Sequence, residues 1–76
     1  MRIPRDLSAN DVIKALKKYG YTVTRQTGSH IRLTTQQGGQ HHTTVPNHKP
    51  ISVGTLRQIL SDVANHLKIN IDDIEL

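Results

Sequence analysis

The tripeptide Gly28-Ser29-His30 places an imidazole directly after two residues suited to a tight turn. Glycine takes a positive φ at little cost and serine bonds to nearby backbone, so the pair can turn the chain and aim the side chain that follows. Imidazole is the side chain whose protonation equilibrium lies closest to neutral pH, which lets it take a proton and return it. Arg32 lies two residues on, and along an extended strand it shares a face with His30 at a spacing of roughly 6–7 Å. Arg25 lies on the far side of the turn and reaches the same pair if the flanking segments form a hairpin. Cleaving RNA without a metal needs a base for the 2′-hydroxyl proton, an acid for the leaving oxygen and a cation for the phosphorane charge. His30 and its arginines are the residues here that begin to meet that need. A strand-face histidine beside an arginine is also what an ordinary solvated surface contains.

The other histidines carry less. His41, His42 and His48 lie close in sequence, but adjacent strand residues point to opposite faces, so His41 and His42 do not easily share one ion. No carboxylate lies within this segment to complete a metal set, and neither a metal nor a cofactor is implied. His66 reads as a boundary residue near a helix C-terminus, where positive charge is tolerated.

The elements that must hold His30 follow from periodicity. Ser8 and Asp11 have the spacing of a capping box, with Leu7 as a staple against Val12. From there Val12, Ile13, Ala15, Leu16 and Tyr19 form one side of a helical wheel, and Gly20 is a natural stop. Lys14, Lys17 and Lys18 fall on the opposite side, either as a solvated face or as a phosphate-binding stripe. Tyr21 to Gln26 alternates as a strand, with Tyr21, Val23 and Arg25 against Thr22, Thr24 and Gln26. His30 to Thr35 alternates again, Ile31 and Leu33 facing the core while His30 and Arg32 face solvent. After the turn Gln36 to Gln40, a third strand runs from His41 to Val45 and Pro46 closes it. Ser52 caps a second helix whose Val53, Leu56, Ile59, Leu60, Val63, Ala64 and Leu67 make the stripe that covers the sheet. Gly54, early in that helix, is either a close-approach position or merely tolerated. The tail from Asn70 to Leu76 reads equally as a helical turn or a strand. The expectation is an α+β domain spanning residues 1–76, ordered α-β-β-β-α, with a three-stranded antiparallel sheet and both helices packed on one face.

Composition narrows the partners. Phe, Trp and Cys are absent and Tyr19 and Tyr21 are the only aromatics among 76 residues, so the core is thin and built from Ile, Leu, Val and Ala. A domain of this size is expected to be marginal by itself, with help from a partner or from oligomerisation. Without cysteine there is no disulfide framework, which fits the reducing cytosol, and no apolar run approaches the roughly 20 residues that span a bilayer. A soluble, cytoplasmic protein is expected. Residues 1–60 hold nine Lys or Arg against Asp6 and Asp11, a balance of +7, while residues 61–76 carry −3. The basic stretch favours a polyanion such as nucleic acid, through counterion release.

Taken in order, these features resemble the HicA family, the small toxins of HicAB type II toxin–antitoxin modules that act as messenger RNA interferases. The resemblance is carried by Leu7-Ser8 leading into Val12-Ile13-Lys14-Ala15-Leu16-Lys17-Lys18, then Gly20-Tyr21 and Gly28-Ser29-His30. It continues through Val45-Pro46-Asn47-His48 and Gly54-Thr55-Leu56-Arg57-Gln58-Ile59-Leu60. The glutamine-rich turn, the His41-His42 pair and the acidic tail depart from the family pattern.

What the resemblance implies is a fold similar to double-stranded RNA-binding domains, an endoribonuclease activity that depends on His30, and a HicB antitoxin that masks the toxin. Arg25, Arg32 or Lys49 would then stabilise phosphate charge, and Lys14, Lys17 and Lys18 would position the RNA backbone. A non-catalytic RNA-binding module and a protein-binding domain with a basic surface remain as alternatives. The first predicts RNA affinity without cleavage, the second no RNA affinity at any salt.

Overall fold

The computed structural model describes residues 2–76, with Met1 outside the description. Its first helix, α1 (Ala9–Lys17), begins where the capping box predicts: Ser8 Oγ accepts from Asp11 N, and Asp11 Oδ2 accepts from Ser8 N at 2.9 Å. These bonds satisfy backbone donors at the helix start, and Ser8's backbone N–H is the chief reason the Asp11 carboxyl lies below its ordinary value. The helix ends at Lys17, and the turn after it closes at Gly20, whose φ of +83° is the left-handed conformation. A β-carbon there would meet Thr35 Oγ1 at 2.8 Å, so the site excludes a side chain for steric as well as conformational reasons.

Strands β1 (Thr22–Thr27), β2 (His30–Thr35) and β3 (His41–Pro46) form an antiparallel meander in the order β1-β2-β3. The sheet is followed by α2 (Val53–Leu67), capped by Ser52 Oγ accepting from Thr55 N at 3.3 Å. This is the expected α-β-β-β-α order. Strand alternation sends Ile31, Leu33 and Val45 to one face, where they join Val12 and Leu16 of α1 and Leu56, Leu60 and Val63 of α2 in the core. Both helices therefore cover the same face, and the opposite face of the sheet is left open.

Several details differ from the sequence expectation or resolve it. The first strand starts one residue later, because Tyr21 is drawn out of the ladder and into the core at 0% exposure. Its alternation is also broken: Val23 pairs with Leu33 but Arg25 pairs with Arg32, so a bulge lies between them. Leu33 and Arg32 are neighbours on opposite faces, hence Val23 and Arg25 do not share a face as simple alternation requires. Val23 pairs with Leu33 on the helix side yet is 48% exposed.

The tail resolves as a 3₁₀ turn at Ile71–Asp73, after which Ile74 returns to the core. Tyr19 holds it by donating its hydroxyl to Asp73 O at 3.2 Å. Gly54 has nothing near its missing β-carbon, so its place in the first helical turn reflects no close approach. Among the described residues, no helix is long and apolar enough to cross a membrane.

Candidate active site

The β1–β2 hairpin turns through two residues, with Thr27 paired to His30 and Gly28-Ser29 between them. Gly28 has φ +57°, and it is the only one of the two turn residues with positive φ, the pattern of a type II′ turn. Nothing lies within 4 Å of a β-carbon built at Gly28, so conformation rather than space is the reason for glycine. Ser29 O accepts from Asn47 N at 2.6 Å, which ties the turn to the end of β3. His30 is thereby held between Thr27 on one side and Pro46 on the other.

His30 projects from the open face and is exposed. Among the described residues, its ring has no hydrogen-bond partner, which leaves both nitrogens free for a ligand. Arg32 follows on the same face, and the bulge in β1 brings Arg25 directly opposite Arg32. Without that extra residue, the ladder would direct Arg25 to the helix side. The three side chains line a shallow open groove of about 540 Å³, together with Thr27, His42 and Asp62. Two guanidinium groups next to an unpartnered imidazole make an anion-binding surface that also holds a proton-transfer group.

The remaining basic candidates are elsewhere. Lys14, Lys17 and Lys18 are exposed on α1, across the sheet from His30. Lys14 and Lys18 line a second depression of about 470 Å³ beside Glu75, and Lys18 Nζ is 3.8 Å from Glu75 Oε2. Lys49, in the loop before α2, helps to lower the Asp11 carboxyl and does not line the groove. The structure thus gathers Arg25, Arg32 and His30, and leaves the four lysines apart from them.

A second histidine cluster has no counterpart in the sequence reading. His41 Nδ1 is 2.8 Å from the buried hydroxyl of Tyr21, and the His41 ring stacks on His66 with centroids 4.4 Å apart and planes 13° from parallel. His66 Nε2 donates to Gln37 O at 3.0 Å and Gly39 O at 2.9 Å, clamping the β2–β3 turn to the end of α2. Burial, followed by the adjacent His66, pushes His41 below the ordinary imidazole value, and burial with nearby Asp62 pushes the Tyr21 phenol up. Both groups are therefore favoured in their neutral forms, and the His41 tautomer sets which of them donates in the bond between them. His42, on the other face, is held instead by Thr34 Oγ1 at 2.7 Å from its Nδ1. Only the alternation of His41 and His42 was visible in sequence, since stacking with His66 depends on how α2 crosses the sheet.

A family model described as "HicA toxin of bacterial toxin-antitoxin" matches residues 9–64, about three quarters of the chain. No curated protein and no solved structure matches.

Proposed function

The chain belongs to the HicA family of toxins from bacterial toxin–antitoxin systems, and from this premise we propose that it is an endoribonuclease that cleaves messenger RNA through His30. The observation that carries the proposal is the exposed His30, without a hydrogen-bond partner among the described residues, one row along the ladder from the paired Arg25 and Arg32 on the uncovered sheet face. In this mechanism neutral His30 takes the proton from a ribose 2′-hydroxyl, and the resulting oxygen attacks the adjacent phosphorus. The P–O5′ bond breaks as the new P–O2′ bond forms, and the imidazolium returns its proton to the departing 5′-oxygen. A 2′,3′-cyclic phosphate and a 5′-hydroxyl result. Arg32 and Arg25 stabilise the extra negative charge on the phosphorane, an interaction strongest in the transition state. Gly28 and Ser29 position the base by fixing the turn. Lys49 and the α1 lysines, Lys14, Lys17 and Lys18, act only on RNA that extends beyond the groove, through salt-sensitive phosphate contacts.

A single positioned general base contributes about 10²–10⁴-fold, so a modest nuclease is the physical expectation, and its cytoplasmic targets would be messages. Toxin–antitoxin pairing supplies the control. We assign that role to a HicB-like antitoxin that covers the groove and takes His30 out of contact with RNA. A complex that abolishes cleavage while leaving His30 open would require a different form of inhibition.

The test is cleavage of a labelled single-stranded RNA, with EDTA present, by the wild type and by a folded His30→Ala variant purified in parallel. Cleavage by the wild type alone supports His30 as the base. Equal cleavage by both removes His30 from the mechanism, and binding without cleavage by either favours the non-catalytic RNA-binding module.

A further inference from the structure

The groove around His30 has two chemically different ends. His30 lies at one, the paired Arg25 and Arg32 follow in the middle of the groove, and His42 stands at the other, with Asp62 as the acidic residue of the lining. His42 is paired with Thr34, four residues along β2 from His30 and on the same face. That separation is roughly 13 Å along the sheet, too far for His42 to act on the phosphate that His30 serves and suited to a neighbouring nucleotide.

His42 is exposed but not loose. Its Nδ1 is 2.7 Å from Thr34 Oγ1, and Thr34 Oγ1 is in turn 2.8 Å from Thr24 Oγ1. The chain of three side chains holds the ring across all three strands, and among the described residues Nε2 has no partner. Single-stranded RNA is commonly held by stacking its bases on planar side chains. This protein has neither Phe nor Trp, Tyr21 is fully buried, and Tyr19 is committed to the tail. His41 and His66 are stacked on each other. His42 is therefore the ring in this groove, other than His30, that a base can use.

Asp62 sets what kind of group fits beside it. It is the acidic residue on the groove wall, and its Oδ1 already accepts from Gln58 Nε2 at 3.0 Å. A carboxylate repels phosphate and accepts hydrogen bonds from base N–H groups. Adenine, cytosine and guanine offer an exocyclic amine. Uracil offers one N–H flanked by two carbonyls whose lone pairs oppose a carboxylate.

We propose that the His42–Asp62 end of the groove is a base subsite for an amino-bearing nucleobase of single-stranded RNA, next to the nucleotide that His30 engages. The subsite rests on the RNA-directed reading above, but its binding does not require that the RNA be cleaved.

The test is fluorescence anisotropy with labelled, uncleavable 2′-O-methyl hexamers of A, of C and of U. The full chain is compared with its His42→Ala, His42→Phe and Asp62→Asn variants, their folds checked by circular dichroism. The wild type should prefer A and C over U. His42→Ala should weaken binding to the preferred hexamers about tenfold or more, the share of one stacked base, while His42→Phe restores it. Asp62→Asn should erase the preference over U, because an amide offers a donor as well as an acceptor. Affinities within twofold for wild type and His42→Ala on every hexamer would overturn the subsite, as would no binding by the wild type. A wild type that binds with this pattern but cleaves nothing would sink the ribonuclease reading and leave the subsite standing. One that cleaves RNA while His42→Ala binds every hexamer equally well would do the reverse.

Discussion

His30 and His41 each open a strand of the same sheet, yet their surroundings are opposite. His30 faces the uncovered side, exposed, with no internal partner among the described residues and with arginines beside it. His41 faces the helices, half-buried, hydrogen-bonded to Tyr21 and stacked on His66. The difference is one of strand parity: β2 begins on the open side and β3 on the covered side. A histidine that packs within the fold is restrained in both ring orientation and proton placement, whereas one that faces solvent keeps its nitrogens for a ligand. The first serves the fold, and the second is available for the chemistry proposed for it.

The largest expected effect separates those roles directly. His30→Ala should lower RNA cleavage by about 10²–10⁴-fold, measured in a single-turnover assay, while leaving the thermal midpoint within a degree or two. A loss of stability as large as the loss of activity would erase the distinction between the two histidines.

The cations offer a second contrast. Replacing Arg25 and Arg32 together by Ala should weaken single-stranded RNA binding and lower the magnitude of the salt slope by about 1.4, the share of two phosphate contacts. Replacing Lys14, Lys17 and Lys18 should cost less affinity for a hexamer, since these side chains lie across the sheet from the groove. Titration of RNA binding against salt for both variants measures the difference. An equal or larger loss from the lysine variant would place RNA on the helix side.

On the covered side, Tyr21→Phe removes the hydroxyl that His41 Nδ1 meets at 2.8 Å. We expect a loss of about 1 kcal/mol in urea unfolding, with cleavage unchanged once the protein is folded. A drop in cleavage would make this cluster part of the site.

The smallest effect is in the pH dependence of stability. Because His41 is held below its ordinary value in the fold, the unfolded chain binds its proton more readily. Its contribution to stability is therefore fully present above the unfolded value near pH 6.5 and is lost as pH falls through the lower folded value. His41→Gln should flatten urea-unfolding stability as pH falls below about 6.5, relative to the wild type. An unchanged profile would mean that His41 protonates equally well in both states.

Much of the scaffold was legible because local rules agreed with one another. Ser8 and Asp11 announced the first helix, and both helix starts fell where their serine caps lie. The second strand has the expected bounds, His30 to Thr35, and alternates in burial as far as Leu33, after which Thr34 is buried beneath its contacts with Thr24 and His42. The end of α2 gave no such sign: Lys68 takes the left-handed conformation at φ +57° without being glycine. Of the candidate site, the turn and the exposure of His30 followed from Gly28-Ser29 and from the apolar parity of Ile31 and Leu33. Arg25 was suggested by the hairpin, but its position opposite Arg32 depends on the bulge after Val23. Asp62 had no signal, since nothing within α2 specifies which part of the sheet edge its carboxylate reaches.

By itself, the sequence determined the order of elements, the face on which His30 stands and the basic character of the chain. Those properties depend on neighbours a few residues apart, through caps, turns and period-two alternation. Tertiary structure alone decided that two arginines and Asp62 line one groove with His30 and His42, that the α1 lysines lie away from it, and that His41 and His66 stack. Each of these joins residues from separate elements, and the crossing of α2 over the sheet and the bulge in β1 set distances that no local pattern encodes.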